Sequence, residues 1–178
     1  MNNDFERVLL SAKEIEKITE KLAQQITEDY NGKDLLVIGL LKGSFVFISD
    51  LVRHIDLPCK LDFMSVSSYG SSTSSSGNVK ILMDCSLPID NANVLIVEDI
   101  IDSGNTLSYI VDYIYRKGAS DVKICTLLNK PKRRETHVDI QYEGTTIDDN
   151  FVAGYGMDYN ETYRNIPYIG ILKKEIYS

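Results

Sequence analysis

Apolar and polar positions follow two rhythms along the chain. From Ser11 the spacing is helical, with Ile15, Ile18, Leu22 and Ile26 on one face and Ser11 and Glu14 placed as a capping box. Asn31-Gly32 reads as its stop. Residues 35–41, LLVIGLL, form a short continuous apolar run, as expected of a strand covered on both faces. Lys42-Gly43-Ser44 follows, with Ser44 placed to cap a second helix on which Ile48, Leu51, Val52 and Ile55 recur at i, i+3, i+4 and i+7 before Pro58. Residues 60–66 and 80–84 read as two strands. Val94, Leu95, Ile96 and Val97 read as another, ending in the polar turn Glu98 to Thr106. A helix from near Leu107 then carries Ile110, Val111 and Ile114 and closes at Arg116-Lys117-Gly118. Residues 122–128 and 151–155 complete the strands. This alternation predicts an α/β fold with a mainly parallel central sheet flanked by helices.

At 178 residues, 43% hydrophobic and 25% charged, the chain has the size and composition of one domain, taken as residues 1–178. No internal repeat or linker divides it. Twenty-six acidic residues against 19 basic ones give a net charge of −7, which argues against general attraction to nucleic acid or to an anionic membrane. Cys59, Cys85 and Cys125 are far apart and match no metal-ligand spacing, so reduced thiols are expected. No basic, then apolar leader opens the sequence, and no uninterrupted apolar run reaches membrane-spanning length. The expectation is a cytoplasmic protein. His54 and His137 fall in no chemical pattern and are assigned no role.

The chemistry concentrates in VLIVEDIIDSGNT, residues 94–106. In a parallel α/β sheet, ligands bind beyond the carboxyl ends of the strands, and this segment delivers Glu98, Asp99 and Asp102 there. Ser103 and Thr106 add hydroxyls, Gly104 permits close backbone approach, and the following helix start would offer free N–H groups to a phosphate. The carboxylates suit hydroxyls or a divalent cation. Read blandly, it is a strand, a turn and a helix capped by an Asp. Lys42-Gly43-Ser44 is by itself either a diphosphate site or a plain helix cap. Eight of the twelve residues from 65 to 76 are serine, a stretch that cannot build a core and reads as a linker or, between two strands, as a lid.

VLIVEDIIDSGNT resembles the phosphoribosyl pyrophosphate (PRPP) signature of the type I phosphoribosyltransferases. Together with FVAGYGMDYNETYR, residues 151–164, it resembles the purine-salvage members that act on hypoxanthine and guanine. The resemblance covers nearly the whole chain and implies the type I fold with a small hood built from terminal segments. It implies an enzyme that joins hypoxanthine, and also guanine, to PRPP and releases pyrophosphate with Mg²⁺, acting as a homodimer or homotetramer. A xanthine-preferring relative is the nearer alternative. A PRPP-sensing regulator that binds nucleic acid is the more distant one.

Residue by residue, the resemblance assigns Asp102 to proton transfer at purine N7. Glu98, Asp99, Asp102, Ser103, Gly104, Asn105 and Thr106 would bind the ribose phosphate. Leu41, Lys42, Gly43, Ser68, Tyr69 and Arg164 would bind the pyrophosphate, with a cis peptide bond before Lys42 and a mobile loop over residues 67–78 carrying the Ser-Tyr pair. Lys130, Phe151, Val152 and Asp158 would bind the purine, Lys130 by donating to the 6-oxo group, which selects a carbonyl over an amine. Glu98, Asp99 and Asp158 would face the metal. Asn105 stands where relatives often carry a basic or apolar residue. The basic run Lys132, Arg133 and Arg134 is expected to be solvated or to serve a subunit contact.

Overall fold

A computed structural model describes residues 2–68 and 79–177. Strand β1 (Phe5–Leu10) leads into helix α1 (Ala12–Asp29), whose start is the expected capping box: the Ser11 amide donates to Glu14 Oε2 at 2.8 Å. Then come β2 (Leu35–Leu41), α2 (Phe45–His54), β3 (Cys59–Ser68), β4 (Val79–Met83), β5 (Asn93–Ile101), α3 (Asn105–Arg116) and β6 (Asp121–Asn129). Strands β7 (Tyr142–Thr146), β8 (Val152–Ala153) and β9 (Ile169–Leu172) and the short α4 (Lys174–Tyr177) complete the order. Residues 69–78, which include Tyr69 and most of the expected loop, lie outside the described residues.

Six strands form the central sheet in the order β4-β3-β2-β5-β6-β7, all parallel except the antiparallel edge strand β4. Side chains along β2 alternate between its two faces. Leu35 and Val37 join Leu22 and Ile26 of α1 and Ile48 and Leu51 of α2, while Leu36, Ile38 and Leu40 join Ile110 and Ile114 of α3. Each such buried aliphatic side chain contributes roughly 1.5–3 kcal/mol. Gly39 lets α2 approach, since a Cβ there would meet Ile48 Cδ1 at 2.7 Å.

Chain order runs from β2 to β3 on one side and from β5 to β6 and β7 on the other. The reversal therefore lies between β2 and β5, which is where an open α/β sheet opens a crevice for ligands. Beside this end sits the expected hood, the three-stranded antiparallel sheet β1-β9-β8, with Phe5, Ala153, Ile166 and Leu172 as its core.

Several details depart from expectation. Strand β5 continues past the acids to Ile101, and α3 begins at Asn105 behind Gly104, not near Leu107 behind a capping Asp. Ser44 precedes α2 but does not cap it: its buried hydroxyl donates to the Leu40 carbonyl at 2.6 Å instead. The strand expected over 151–155 shrinks to Val152–Ala153, because Gly154, Tyr155 and Gly156 all take positive φ and turn the chain. Strands β1, β7 and β9 carry no sequence pattern that predicts a strand. Charges interrupt the first, the second is polar with Gly144 at its centre, and the third has only four residues.

Candidate active site

Where β2 and β5 end side by side, a cavity of about 340 Å³ opens. Its walls include Leu41, Lys42 and Gly43 from the loop after β2, Glu98 to Gly104 and Thr106 from the β5–α3 segment, and Asp158 and Arg164 from the hood side. Sequence-distant residues thus converge as expected. The Leu41–Lys42 peptide is cis. Gly43 lies so close to Asp99 that a Cβ at position 43 would overlap the Asp99 carboxylate, and a Cβ at Gly156 would overlap the Gly43 carbonyl. The absence of side chains there lets loop, strand end and hood meet.

On one wall stand Glu98 and Asp99. Burial, and then the neighbouring Asp99 charge, push the Glu98 carboxyl well above the usual carboxylate range. A pair in which one member resists ionising suits a ligand that brings positive charge or hydroxyl donors. Among the described residues, no three His, Cys, Asp or Glu side chains come together as a metal cage. Glu98, Asp99 and Asp158 are therefore not a ready-made three-ligand centre. Asp158 is already engaged: its Oδ1 lies 2.7 Å from Arg164 Nη2 and its Oδ2 accepts the Glu161 amide at 2.9 Å. This donor set fits a hard cation held by one or two carboxylates and completed by substrate oxygens.

The loop from Ser103 to Thr106 runs into α3 with Gly104 at φ 85°, where a side chain would strike the Thr136 carbonyl. The Asn105 amide, the first of α3, donates to Ser103 Oγ at 3.3 Å; the N–H groups of a helix's first turn have no partners within the helix, which suits an anion site. Asn105 departs from its expected use. Its amide donates to Glu135 Oε2 at 2.7 Å and its carbonyl accepts from Thr136 Oγ1 at 2.5 Å, so the side chain braces the neighbouring loop and is absent from the cavity walls.

The cations at the other side are paired with carboxylates. Lys42 Nζ lies 3.1 Å from Glu161 Oε2, Arg164 Nη2 lies 3.5 Å from the same oxygen, and Arg164 Nη1 donates to the Gly156 carbonyl at 2.8 Å. Nothing in the sequence singles out Glu161; its position depends on the tight turn in which Asn160, Glu161 and Tyr163 all adopt positive φ.

Lys130, Phe151 and Val152 stand outside the described cavity walls. Lys130 follows β6 directly and is 8% exposed; burial depresses its pKa, while Asp102 and Asp149 act to raise it. Phe151 is exposed. Its ring stacks on Tyr177 with centroids 4.7 Å apart and meets Tyr159 edge-on at 5.4 Å. Val152 is buried in the hood sheet opposite Ile171. The Ser68 side chain lies outside the described atoms.

The basic run is largely exposed, as expected, but its side chains are also paired within the chain. Lys132 pairs with Asp148 at 2.7 Å, Arg134 hydrogen-bonds Asn129, and Arg133 Nε lies 3.0 Å from Asp102 Oδ1. A larger cavity of about 610 Å³ lies between α1, α2 and residues 164–167 and shares Arg164 as a wall. Its lining includes none of residues 94–106, the segment that contributes to the walls of the smaller cavity at the strand ends.

Residues 8–160 match the family described as the phosphoribosyl transferase domain. The chain is 47% identical to the hypoxanthine-guanine phosphoribosyltransferase of Staphylococcus aureus over all 178 residues, which span 99% of that protein. It is 48% identical to the bifunctional protein TilS/HprT of Listeria monocytogenes, of whose length it covers only 28%. Among solved structures it is similar to a hypoxanthine phosphoribosyltransferase from S. aureus, with a TM-score of 0.96 and coverage of 100% of this chain and 97% of the other. It is also similar to a hypoxanthine-guanine phosphoribosyltransferase from Bacillus anthracis, with a TM-score of 0.91 at 43% identity, covering 95% and 99%. By sequence, by fold and by the convergence of its loops on one cavity, the chain belongs to the phosphoribosyltransferase family.

Proposed function

We propose that the chain catalyses purine salvage, joining hypoxanthine, and also guanine, to the ribosyl carbon of PRPP and releasing pyrophosphate. The observation that carries this reading is that Asp102 and Lys130 emerge from neighbouring strands, directly after the paired residues Ile101 and Asn129, beside the phosphate-shaped loop. A carboxylate acceptor next to an ammonium donor matches the N7–H and 6-oxo groups along one edge of a 6-oxopurine.

In this reaction the bond from ribosyl C1 to the pyrophosphate oxygen breaks, C1 bonds to purine N9, and the N7 proton passes to Asp102. Glu98 and Asp99 hold the ribose hydroxyls and stabilise the positive charge that grows on the sugar. The segment from Asp102 to Thr106 holds the 5′-phosphate, by backbone N–H groups and hydroxyls more than by the Asn105 side chain. Leu41, Lys42, Gly43 and Arg164 receive the pyrophosphate, together with Ser68 and Tyr69. Lys130, Phe151 and Val152 hold the base, helped by Asp158. One or two of the carboxylates Glu98, Asp99 and Asp158 would hold Mg²⁺, which when bound would neutralise charge on the leaving pyrophosphate.

We further infer one catalytic domain over residues 1–178, a homodimer or homotetramer, and a cytoplasmic setting. Among the described residues no helix is long and apolar enough to cross a membrane, and the net charge of −7 speaks against nucleic acid as partner. Incubating pure protein with PRPP, Mg²⁺ and hypoxanthine is expected to yield inosine monophosphate. Absence of nucleotide from hypoxanthine, guanine and xanthine alike would overturn the reading.

A further inference from the structure

Strands β5, β6 and β7 run parallel and stop on one rung: Ile101 pairs with Asn129, and Asn129 with Thr146. The Lys130 amide donates to the Ile101 carbonyl at 2.9 Å, and the Ile147 amide to the Asn129 carbonyl at 2.8 Å. Strands β5 and β6 therefore deliver Asp102 and Lys130 side by side, and the chain leaving β7 brings Asp149 near them two residues after Ile147. After Lys130 a single 3-10 turn, Pro131–Arg133, closes through the Arg133 amide to the Lys130 carbonyl at 3.1 Å and brings Arg133 back over this rung.

The resulting row of charges alternates in sign. Arg133 Nε lies 3.0 Å from Asp102 Oδ1, Arg133 Nη1 lies 3.4 Å from Asp149 Oδ1, and Lys130 Nζ lies 4.0 Å from that same Asp149 oxygen. We propose that Arg133 and Asp149 are positioning residues, which fix Asp102 and Lys130 at the separation demanded by the N7–H and 6-oxo groups of the incoming purine. The inference rests on the reading above, in which Asp102 and Lys130 face the base.

Three observations carry it. First, the pairs do not explain themselves by stability: the side chains of Arg133, Asp102 and Asp149 are 53%, 46% and 50% exposed, and ion pairs so exposed add little to folding. Second, Asp102 Oδ1 is a buried atom that accepts no hydrogen bond of good geometry from any described residue. Arg133 is near enough to orient this carboxylate electrostatically without engaging that oxygen in a hydrogen bond of good geometry. Third, Lys130 is buried where desolvation opposes its charge, and Asp149 is one of two carboxylates favouring the ammonium form that can donate to a carbonyl. Removing Arg133 takes the ion pair from Asp102, and removing Asp149 takes it from Lys130 and leaves Arg133 with Asp102 alone.

The test compares wild type with Arg133→Gln, Asp149→Asn and Arg133→Lys, using PRPP, Mg²⁺ and hypoxanthine. Arg133→Gln is expected to lower kcat by roughly tenfold while the KM for PRPP stays within about twofold. Asp149→Asn is expected to raise the KM for hypoxanthine by about fivefold with a smaller change in kcat. Arg133→Lys, which keeps the charge, is expected to recover most of the loss. If both neutral variants keep kcat and the base KM within about twofold of wild type, or if PRPP binding falls in parallel with kcat, the inference is overturned. Inactivity of the wild type towards every 6-oxopurine would instead remove the proposed reaction, and this inference with it.

Discussion

Glu161 places its carboxylate 3.1 Å from the Lys42 ammonium, across 119 positions of sequence. The same oxygen faces Arg164 at 3.5 Å, so one acidic side chain sits on both cations proposed to receive pyrophosphate. It occupies an anion's place. Glu161→Gln is therefore expected to lower the KM for PRPP by roughly threefold, the modest effect of an exposed pair. Steady-state kinetics with varied PRPP would show it, and an unchanged or raised KM would count against competition between Glu161 and the substrate.

The general-base assignment makes a sharper demand. Asp102→Asn keeps shape and polarity but removes the proton acceptor, so turnover should fall by about 10²-fold or more while PRPP affinity is largely retained. Single-turnover formation of inosine monophosphate, with PRPP binding measured separately, distinguishes the two effects. Wild-type turnover would take Asp102 out of the mechanism.

Lys130 sets an alkaline limit. Its folded pKa is lowered by burial, so as pH rises the ammonium is lost before an ordinary lysine would lose its proton. The KM for hypoxanthine should accordingly climb at a pH below the usual lysine range, with the KM for PRPP less affected. The linkage to stability has the opposite sense: the unfolded state holds this proton more tightly, so Lys130 opposes folding at neutral pH and that penalty disappears as pH rises through the two pKa values. Lys130→Met should remove the alkaline limb from the KM profile and weaken base binding at every pH.

Gly43 offers a steric test. A methyl at this position would overlap the Asp99 carboxylate, so Gly43→Ala must displace either the loop or the acid. Activity should fall by at least about tenfold, since a small misplacement of reacting groups is costly. The fold should survive, because the clash lies in the cavity wall and not among the helix–sheet contacts; circular dichroism beside the activity assay would check both.

Asp62 is predicted to matter for stability alone. Its Oδ2 accepts from the Ser86 and Leu87 amides at 2.8 and 2.9 Å and from the Ser86 hydroxyl at 2.9 Å, with the Cys85 thiol at 3.1 Å. Burial works against its charge, but the Cys85 and backbone hydrogen bonds outweigh it, and the carboxyl stays well below the usual carboxylate range. Its contribution is thus present at neutral pH and fades as pH falls below that range. Asp62→Ala should cost about 2 kcal/mol in denaturant unfolding, as expected for loss of hydrogen bonds to a charged group, with kcat unchanged.

What was legible in the sequence follows from the reach of each signal. The capping box at Ser11 and Glu14, the helical stripe from Ile15 to Ile26 and the doubly buried LLVIGLL are local patterns, and they appear as read. So does the mainly parallel sheet with loops at the carboxyl ends of its strands, because repeated strand-loop-helix units imply it; the β2–β5 reversal itself needed the strand order. Strands β1 and β9 pair with each other from opposite ends of the chain, and neither carries alternation enough to announce it. The pairings of Glu161, Arg133 and Asp149 carry no sequence signal for a related reason: an exposed acid or base acquires a partner only once turns and strand ends are placed. Asn105 shows the reverse. Its position in the signature suggested a phosphate donor, yet Glu135 and Thr136, some thirty residues on, had already claimed its side chain.

The common rung on which β5, β6 and β7 end has a consequence for how specificity can change. Adjacent strands in a sheet lie about 4.8 Å apart, and that fixed interval, not the length of any flexible loop, separates the backbones carrying Asp102 and Lys130. If Asp102 and Lys130 receive the base as proposed, the sheet serves as its ruler. On the proposed reaction, exchanging side chains at positions 102 and 130 would alter which groups are read along the purine edge while keeping the distance between readings. Deleting a single residue from β6 would break the ruler itself, since Lys130 would slip by one pleat and face the other side of the sheet.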